Sequence, residues 1–402
     1  MKRYWKIISL CIVTVMVIGT FYIQSSLAAN ENAKIEFEKV SGKEDEVKNL
    51  IFYGDYVVGN LNQSLQITSK ETINLTNQSL IQELTKNNTV PVLKKLIDQY
   101  RTFMRGKEFT PNNFYEDENL VVYASIKAKD SRHSSFDINL LNKKSEETTS
   151  IQLAVPKREN YGWMEVVDVQ VIDGNLKVIT RGFRTEGGND LNVYTINIDE
   201  QKLVNDEIIH SASSVENGWS DIIIINDYNS IQSEKYLLFK TEAYEDKQVQ
   251  AEGEMELDGE PKLVANEVMV YDIENNKSKK LVVPDEIRGT IGDFSAIFHS
   301  TIFIPSQSES GFEVNKYDIE KEKWGKKLTF DLLHNKEDEG APYIKLMNGK
   351  IYIIHSTNNG HTIFIRDLKT GKSLYEGELK VKNTREGQND FLFQISEIES
   401  VQ

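Results

Sequence analysis

The chain has 402 residues, 39% of them hydrophobic, and 62 acidic against 47 basic residues give it a formal charge of −15. A surface of this sign repels phosphate groups, so the composition argues against binding to nucleic acid or to anionic lipid headgroups. The single cysteine, Cys11, excludes a disulfide framework, and folding must therefore rest on a hydrophobic core, which a chain of this length can bury.

The N-terminus has the pattern of an export signal. Three basic residues precede an uncharged run over residues 7–23, and a small-residue cleavage pattern ends at Ala28. The run has 17 residues, whereas a spanning helix needs about 20, so cleavage (residues 1–28 as signal peptide) and retention as a membrane anchor both stay open. The basic flank places residues 29–402 outside the cytoplasm in either case. We expect an extracytoplasmic protein, secreted or anchored by residues 7–23, with no other contact to the membrane.

Residues 91–105 predict an amphipathic helix. Apolar residues recur at helical spacing from Val92 to Met104, Thr89 is suited to cap the first turn, and Gly106 is suited to end the last. We expect this helix to dock through its apolar stripe onto the rest of the protein, and a helix that binds a partner is the alternative.

Most of the remaining chain consists of short runs that alternate apolar and polar residues, which predicts β-strands. Units of four strands are clearest over residues 163–211 and 340–380, where Asp173-Gly174 and Asn348-Gly349 favour two-residue hairpin turns. The closing stretch, residues 391–395, also alternates, and we expect it to pair with strands near the N-terminus.

A short phrase recurs at the end of one strand in these units. Its copies are centred on Tyr194, Tyr271, Tyr317 and Arg366, in steps of 77, 46 and 49 residues, and a lysine follows each copy. Periods in the high forties with several short strands per unit are typical of β-propellers. We therefore predict an all-β fold over residues 29–402, a six- or seven-bladed β-propeller with one inserted helix.

The longest step contains an insertion over residues 245–265. Acidic residues from Glu252 to Glu260 alternate there with glycine and apolar residues, and Asp258-Gly259 favours a hairpin turn. We predict a protruding β-hairpin with an acidic side. A solvated hairpin is the simplest interpretation, and a loose Ca²⁺ site or a contact for a basic partner are the alternatives; no other cofactor is predicted.

The sequence contains no local motif for catalysis. The six histidines lack metal-ligand spacing, and we expect His355 and His361 to be surface residues on either side of a turn. Neither a serine-hydrolase elbow nor a phosphate-binding glycine loop occurs. We predict no catalytic residue and no metal ligand, although carboxylates that cleave glycosides from different blades would leave no spacing to read.

The recurring Tyr-Asp-Ile/Leu pattern with its following lysine is best preserved at Tyr271, Tyr317 and Arg366-Asp367-Leu368. It resembles the repeats of secreted propellers of the PQQ-like or YVTN-like kind over most of residues 45–398. In composition, the abundant Lys, Asn, Ile and Glu resemble those of exported proteins of low-GC Gram-positive bacteria. The resemblance implies a strand and a turn in each repeat, and it implies no catalytic residue.

A glycine followed closely by an aromatic residue precedes the first strand of four units. In a radial repeat, equivalent positions lie at one end of the disc, where flat rings suit sugars, peptides or apolar ligands. The alternative is that the rings wedge between neighbouring blades as core. The predicted ligand-binding residues are Trp163, Trp219, Phe294 and Tyr343.

Together these observations predict an extracytoplasmic, non-enzymatic binding or scaffold propeller that recognises an envelope protein or glycan. A carbohydrate-active hydrolase or lyase is the first alternative. The second is a sensor or regulator domain of the cell envelope, for which a retained anchor would be essential.

Overall fold

The three-dimensional structure is a computed structural model. It describes residues 12–16, 33–59, 61–76, 90–128, 130, 133–225, 230–246, 248–251, 254–257, 261–292, 294–308, 311–331, 342–357, 360–382 and 391–401. Residues 12–16 are helical, and the rest of the predicted export segment lies outside the described residues. Within the described ranges, no helix combines the length and the apolar character that crossing a membrane requires.

Strands dominate the described part of the chain. The helices are short: α1 (Asp45–Lys48), α2 (Pro91–Gln99), α3 (Arg101–Met104) and α4 (Asp285–Arg288). The strands are, in chain order, β1 (Lys34–Gly42), β2 (Leu50–Val58), β3 (Leu61–Thr68), β4 (Thr72–Asn74), β5 (Phe114–Glu116), β6 (Leu120–Ala128), β7 (Ser134–Asn142), β8 (Thr148–Ala154), β9 (Tyr161–Ile172), β10 (Asn175–Arg184), β11 (Asn189–Asn197), β12 (Lys202–Ala212), β13 (Gly218–Ile225), β14 (Tyr236–Glu245), β15 (Gln248–Ala251), β16 (Glu254–Leu257), β17 (Lys262–Asp272), β18 (Lys277–Lys280), β19 (Ala296–Phe298), β20 (Thr301–Ser308), β21 (Gly311–Asp318), β22 (Lys323–Trp324), β23 (Leu328–Asp331), β24 (Tyr343–Met347), β25 (Lys350–Thr357), β26 (Gly360–Asp367), β27 (Ser373–Lys382) and β28 (Leu392–Ser400).

These strands form six antiparallel sheets of four or five strands. Sheet 1 has the order β28-β2-β3-β4, sheet 2 runs from β5 to β8, and sheet 3 runs from β9 to β12. Sheet 4 has the order β13-β14-β17-β18, sheet 5 runs from β19 to β22 with β23 also on β21, and sheet 6 runs from β24 to β27 with β1 outside β27. Successive four-stranded meanders are the topology of propeller blades. The predicted all-β, propeller-like fold is confirmed, and the described residues contain six such sheets.

The chain folds into two compact units. The first comprises residues 1–87, 337–345 and 351–402, and it contains sheet 1 and most of sheet 6. The second comprises residues 88–336 and 346–350, and it contains sheets 2 to 5.

In the first unit the two ends of the chain pair with each other. Strand β28 lies antiparallel to β2, from the pair Leu50↔Ser400 to the pair Val57↔Leu392, as the alternation of the closing stretch predicts. Strand β1 also pairs with β27, which the sequence did not indicate. In β1 the only buried side chain is that of Ile35, so this strand lacks the clear alternation of apolar and polar residues that identifies a half-buried strand.

In the second unit the apolar face of each sheet packs against the next. Tyr194 and Val178 are buried with residues of sheet 2, whereas Val193 and Ile179 are buried with residues of sheet 4. Successive side chains of a strand point to opposite faces, so sheet 3 is apolar on both faces along its middle. This packing fixes sheets 2, 3 and 4 against one another and positions the polar ends of their strands.

The predicted helix is present as two pieces. Non-helical backbone angles at Tyr100 (φ −126°, ψ 48°) separate α2 from α3, and Gly106 follows with a φ of +75°. Leu93, Leu96 and Phe103 are buried against β-structure of sheet 2, which agrees with the expected docking of the apolar stripe. Thr89, the predicted cap, lies outside the described residues.

The recurring phrase marks the turn between the third and fourth strands of a sheet. In each turn a side-chain oxygen accepts a hydrogen bond from the backbone N–H three residues later, a local contact that Asp, Asn, Ser and Thr side chains offer the backbone in turns. The six turns are Thr68 with Glu71 (3.1 Å), Asn142 with Ser145 (3.1 Å), Asn197 with Glu200 (2.8 Å), Asp272 with Asn275 (2.9 Å), Asp318 with Lys321 (2.9 Å) and Asp367 with Thr370 (2.6 Å).

This geometry corrects the alignment of the phrase. The residue equivalent to Asp272 is Asn197, so Ile196 and not Tyr194 takes the place of Tyr271. The recurring phrase does not include the equivalent turns at Thr68 and Asn142. In these two turns the acceptor oxygen belongs to a threonine or an asparagine side chain and not to an aspartate.

The insertion contains a β-hairpin, but its turn is not the predicted one. Strands β15 and β16 pair from Gln248↔Leu257 to Ala251↔Glu254 and form a separate two-stranded sheet between β14 and β17. Because Ala251 pairs with Glu254, the chain turns between these two residues, and the predicted hairpin turn at Asp258-Gly259, which lies outside the described residues, is wrong. The Ca²⁺ alternative stays a prediction.

Candidate functional site

The four predicted aromatic residues all lie at the beginning of the first strand of a sheet, or just before it. Trp163, Trp219 and Phe294 are 61%, 47% and 54% exposed, so these three rings do not wedge between sheets as core. Tyr343 is half-buried in the other compact unit, where burial, and then the nearby Glu397 carboxylate, raise the pKa of its hydroxyl. The three exposed residues therefore define the candidate site in the second unit.

Each tryptophan stands opposite another aromatic residue on the neighbouring strand. Trp163 pairs with Phe183 across β9 and β10, and Trp219 pairs with Tyr244 across β13 and β14. The rings of Trp219 and Tyr244 are stacked, with centroids 4.4 Å apart and planes inclined by 25°. A Cβ atom on Gly218 would lie 2.0 Å from the Tyr244 carbonyl oxygen, so glycine is required at the position before Trp219.

An arginine joins the two tryptophan-bearing strands. Arg181 Nε lies 2.8 Å from Glu165 Oε1 on its own sheet, and Arg181 Nη1 lies 3.2 Å from Asp221 Oδ1 on the next. Arg181 Nη1 also donates to the carbonyl oxygen of Ile222 at 2.9 Å. Glu165 and Asp221 each lie two residues after a tryptophan, so the arginine ties together the two strand ends that carry the exposed rings. Its guanidinium carbon lies 5.0 Å from the centre of the Phe183 ring, within cation–π range.

A lysine extends this arrangement toward Phe294. Lys240 Nζ lies 2.9 Å from Glu242 Oε1, and a Cβ atom on Gly292 would lie 3.9 Å from the same ammonium group. Lys240 therefore lies beside the segment that leads to Phe294. We call this set the aromatic surface: Trp163, Phe183, Trp219, Tyr244 and Phe294, with Arg181 and Lys240.

Sequence reasoning missed Phe183 and Tyr244, although a signal existed for the first. A two-residue turn at Asp173-Gly174 sets residue 163 opposite 184, and a bulge beside Ile179 shifts the partner to Phe183. The cross-strand partner of Trp219 cannot be found by counting residues outward from a tight turn, because the loop between β13 and β14 is long.

The opposite face of sheet 3 carries a feature that the sequence did not indicate. A cavity of about 460 Å³ lies there, lined by Tyr161, Arg184, Asp190, Asn192 and Tyr194 among others. Burial, together with a hydrogen bond to Asp190, raises the pKa of the Tyr161 hydroxyl to about 12. The phenol is therefore a neutral hydrogen-bond donor at any physiological pH.

The two histidines predicted at the surface are buried. His355 is 6% and His361 is 2% exposed, because β25 and β26 carry them into the interior of the first unit. The His361 ring packs 4.6 Å from the Phe393 ring, and burial lowers its pKa to about 4. Over the described residues, no three His, Cys, Asp or Glu side chains are grouped so as to hold a metal ion.

No family model matches the sequence, and no curated protein is significantly similar to it. Solved structures that resemble it in part include an uncharacterized protein from Listeria monocytogenes (9% identity, TM-score 0.35, 68% of each chain covered) and the polysaccharide lyase Uly1 (7% identity, TM-score 0.32, 67% of this chain and 57% of that one). The β-propeller domain of the Trilobed protease from Pyrococcus furiosus is 12% identical, with 85% of this chain and 97% of that one covered and a TM-score of 0.26. Similarities this weak carry no argument about function. The conclusion that the chain has an all-β, propeller-like fold rests on its own six blade-like sheets.

Proposed function

We propose that this protein is an extracytoplasmic, non-enzymatic propeller that binds an envelope protein or glycan through the aromatic surface. The observation that carries the proposal is the pair Trp163 and Trp219, which are exposed at equivalent positions of neighbouring sheets and joined through Arg181. Large aromatic rings dominate binding energetics when a partner covers them, and leaving them in water forgoes that free energy.

The surroundings of the rings favour a polar partner with flat apolar faces. Glu165, Asp221 and Glu242 accept hydrogen bonds, and Arg181 and Lys240 donate them, within the same surface. Sugars and peptides combine ring or methylene surfaces with many polar groups, which is the chemistry that such a mixed surface recognises. The N-terminal segment supports a partner in the cell envelope, since its basic flank and uncharged run have the pattern of an export signal or anchor.

The hydrolase or lyase alternative needs a carboxyl group with a raised pKa in a cavity. Asp168 is the described carboxyl group with such a shift, because burial raises its pKa to about 6. Its Oδ1 atom is engaged by Gln170 Nε2 and by the N–H of Val169, and the residue does not line the cavity on sheet 3. The enzymatic alternative therefore has no specific observation in its favour.

The proposal is tested by comparing the full-length chain with the Trp163→Ala, Trp219→Ala double variant. Each protein is immobilised and incubated with an envelope extract and, separately, with purified wall glycan, and the retained material is identified and quantified. We expect the double variant to lose about tenfold or more in retention, the effect of removing one or two aromatic hot spots.

The matched control is Phe109→Ala, which removes a 49% exposed ring elsewhere in the same unit. Both variants should keep the far-UV circular dichroism and the unfolding midpoint of the parent chain, because exposed rings contribute little to the core. Equal retention by the parent and the double variant would contradict the proposed function, and so would an equal loss in the Phe109 variant.

A further inference from the structure

A buried lysine of sheet 3 reaches a turn of sheet 4. Lys177 lies on β10 and is 5% exposed. Its Nζ atom donates to the carbonyl oxygen of Ile273 and, at 3.3 Å, to that of Glu274, and it lies 2.7 Å from Asn276 Oδ1. All three acceptors belong to the turn between β17 and β18. The lysine nitrogen is therefore held directly beside the side-chain amide of Asn276.

These three contacts set the direction in which the lysine nitrogen can react. A charged ammonium group has three N–H bonds, and each of them has one acceptor here. When the proton shared with Asn276 is lost, the two remaining N–H bonds stay with the carbonyl groups of Ile273 and Glu274. The lone pair of the neutral amine then points at the Asn276 amide.

Burial favours the neutral form of this amine. Removing the ammonium group from water disfavours its charged form and lowers the pKa of Lys177, although nearby carboxylates act in the opposite sense. A buried lysine with a lowered pKa is the form of this side chain that attacks carbonyl carbon atoms. The first requirement of a nucleophilic lysine is thus met on β10.

A tyrosine polarises the amide that faces the amine. The Tyr271 hydroxyl donates to Asn276 Oδ1 at 2.9 Å. Tyr271 is 2% exposed, and burial, followed by the charges of nearby carboxylates, raises the pKa of its hydroxyl, so the phenol stays a neutral donor. Such a hydrogen bond stabilises the negative charge that develops on a carbonyl oxygen during attack on its carbon atom. Asn276 therefore presents an activated carbonyl carbon to the buried amine.

Two carboxylates act electrostatically on both the amine and the phenol: Asp272 and Glu207. The two oxygens of Asp272 accept hydrogen bonds from the backbone and side-chain N–H groups of Asn275. Glu207 lies on β12 opposite Val193, whose side chain is buried with residues of sheet 4, so both point toward that sheet. Glu207 is therefore the carboxylate suited to transfer a proton between the reacting groups.

We propose that Lys177 and Asn276 form an intramolecular isopeptide bond. Lys177 Nζ bonds to Asn276 Cγ, and the bond between that carbon and the amide nitrogen Nδ2 breaks. The Glu207 carboxylate takes a proton from the lysine amine and returns it to the leaving nitrogen, which departs as ammonia. One amide replaces another, so the reaction needs neither an oxidant nor a further reactant.

This bond constrains the chain as a disulfide does. The sequence after Ala28 contains no cysteine, so residues 29–402 can form no disulfide. A covalent link between two residues that are 99 positions apart restricts the unfolded chain and holds sheets 3 and 4 together. The isopeptide bond does not depend on the function proposed for the aromatic surface.

The test is peptide mapping of the purified full-length chain by mass spectrometry. The protein is kept at neutral pH until its intact mass is constant, and it is then unfolded in urea and digested with trypsin. We expect the peptides that contain Lys177 and Asn276 to be joined, with a mass lower by one ammonia molecule than their sum. Trypsin should not cleave after Lys177, because the acylated side chain has lost its positive charge.

Four variants assign the reaction to these side chains. Asn276→Ala removes the carbon atom that is attacked, so no linked peptide should form and the unfolding midpoint should fall. Asn275→Ala is the matched control in the same turn, because its side chain binds Asp272, and it should link as the parent chain does. Tyr271→Phe and Glu207→Gln should each slow the appearance of the linked peptide by about 100-fold.

Two results would overturn the proposal. The first is recovery of Lys177 and Asn276 in separate peptides with cleavage after Lys177, which would leave the contact as a hydrogen bond between an ammonium group and an amide oxygen. The second is a linked Lys177 peptide in the Asn276→Ala variant, which would mean that the lysine reacts with a different residue.

Discussion

The two faces of sheet 3 differ in how deeply their carboxylates are buried. On the face toward sheet 2, Asp190 is buried and surrounded by Arg184, Tyr161 and Ser211. On the face toward sheet 4, Arg181 is partly buried between two carboxylates that are about one-third exposed, Glu165 and Asp221, and the exposed Trp163 lies on the same face. The first face encloses a cavity, and the second presents an open surface.

This difference shows how one blade-like sheet can carry two surfaces of different chemistry. Alternating residues of β10 and β11 serve opposite faces, so a change that enlarges one site leaves the backbone of the other in place. The floor of the cavity is an enclosed polar network of Tyr161, Asp190 and Ser211, whereas the open rings suit a larger partner. Substitutions on the two faces should therefore differ in their effect on stability, and the four that follow run from the largest expected effect to the smallest.

The largest effect is expected for Asp190→Ala. Removing this buried carboxylate leaves the partly buried Arg184 guanidinium without its counter-charge, leaves Ser211 without its acceptor and takes from Tyr161 the nearer of its two acceptors. We expect the free energy of unfolding, measured by urea denaturation, to fall by about 3 kcal/mol.

Asp206→Asn is the control for this prediction, because Asp206 pairs with an exposed lysine at the mouth of the same cavity. Such a surface pair is worth about 1 kcal/mol or less. If the Asp190 variant were no less stable than the Asp206 variant, the contrast between a buried floor and a solvated surface would be wrong.

The second effect is expected for Gly182→Ala. A Cβ atom at this position would lie 2.6 Å from the Tyr161 ring, so the ring must move out of the floor of the cavity. Overpacking of this kind costs about 2 kcal/mol. At Gly162 the nearest atom to an added Cβ is 3.9 Å away, and Gly162→Ala should change the free energy of unfolding very little.

The repeat was readable from the sequence, because it depends on local chemistry. The turns at Asp173-Gly174 and Asn348-Gly349 take the positive φ angles that the dipeptides predict. A single short side chain supplies the hydrogen-bond acceptor in the turn after the third strand. Aspartate therefore recurs at equivalent positions of the sequence: Asp272, Asp318 and Asp367.

The cavity and the partners of the tryptophans were not readable, because they depend on pairing across many residues. Asp190 meets Tyr161 across 29 positions, and Arg181 meets Asp221 across 40. The burial of His361 has the same origin, since its contact with Phe393 joins two strands that only the closing of sheet 1 by β28 brings into one unit. Composition and period say nothing about such long-range contacts.

The third effect is expected for Arg181→Ala, on the open face. The arginine makes two ion pairs, but its side chain is 22% exposed and both carboxylates are about one-third exposed. Solvent screening limits the loss to about 1 kcal/mol by urea denaturation. Arg181→Lys should recover part of it, since a lysine keeps the charge but cannot reach Glu165 and Asp221 together. A loss as large as that of Asp190→Ala would show that the open face is as tightly built as the enclosed one.

The smallest effect is a titration that distinguishes the enclosed floor from an open surface. The pKa of the Tyr161 hydroxyl is raised to about 12, so this phenol keeps its proton in the folded protein while an unfolded chain releases it near pH 10. The unfolded state then binds fewer protons, and the stability contributed by Tyr161 is lost as the pH rises from about 10 to about 12. Tyrosinate absorbance measures this directly: Tyr161→Phe should remove one of 17 tyrosine signals from the late part of the alkaline titration and leave the early part unchanged. A signal missing from the early part would mean that water reaches the phenol freely, and the cavity floor would then be no more enclosed than the face that carries the tryptophans.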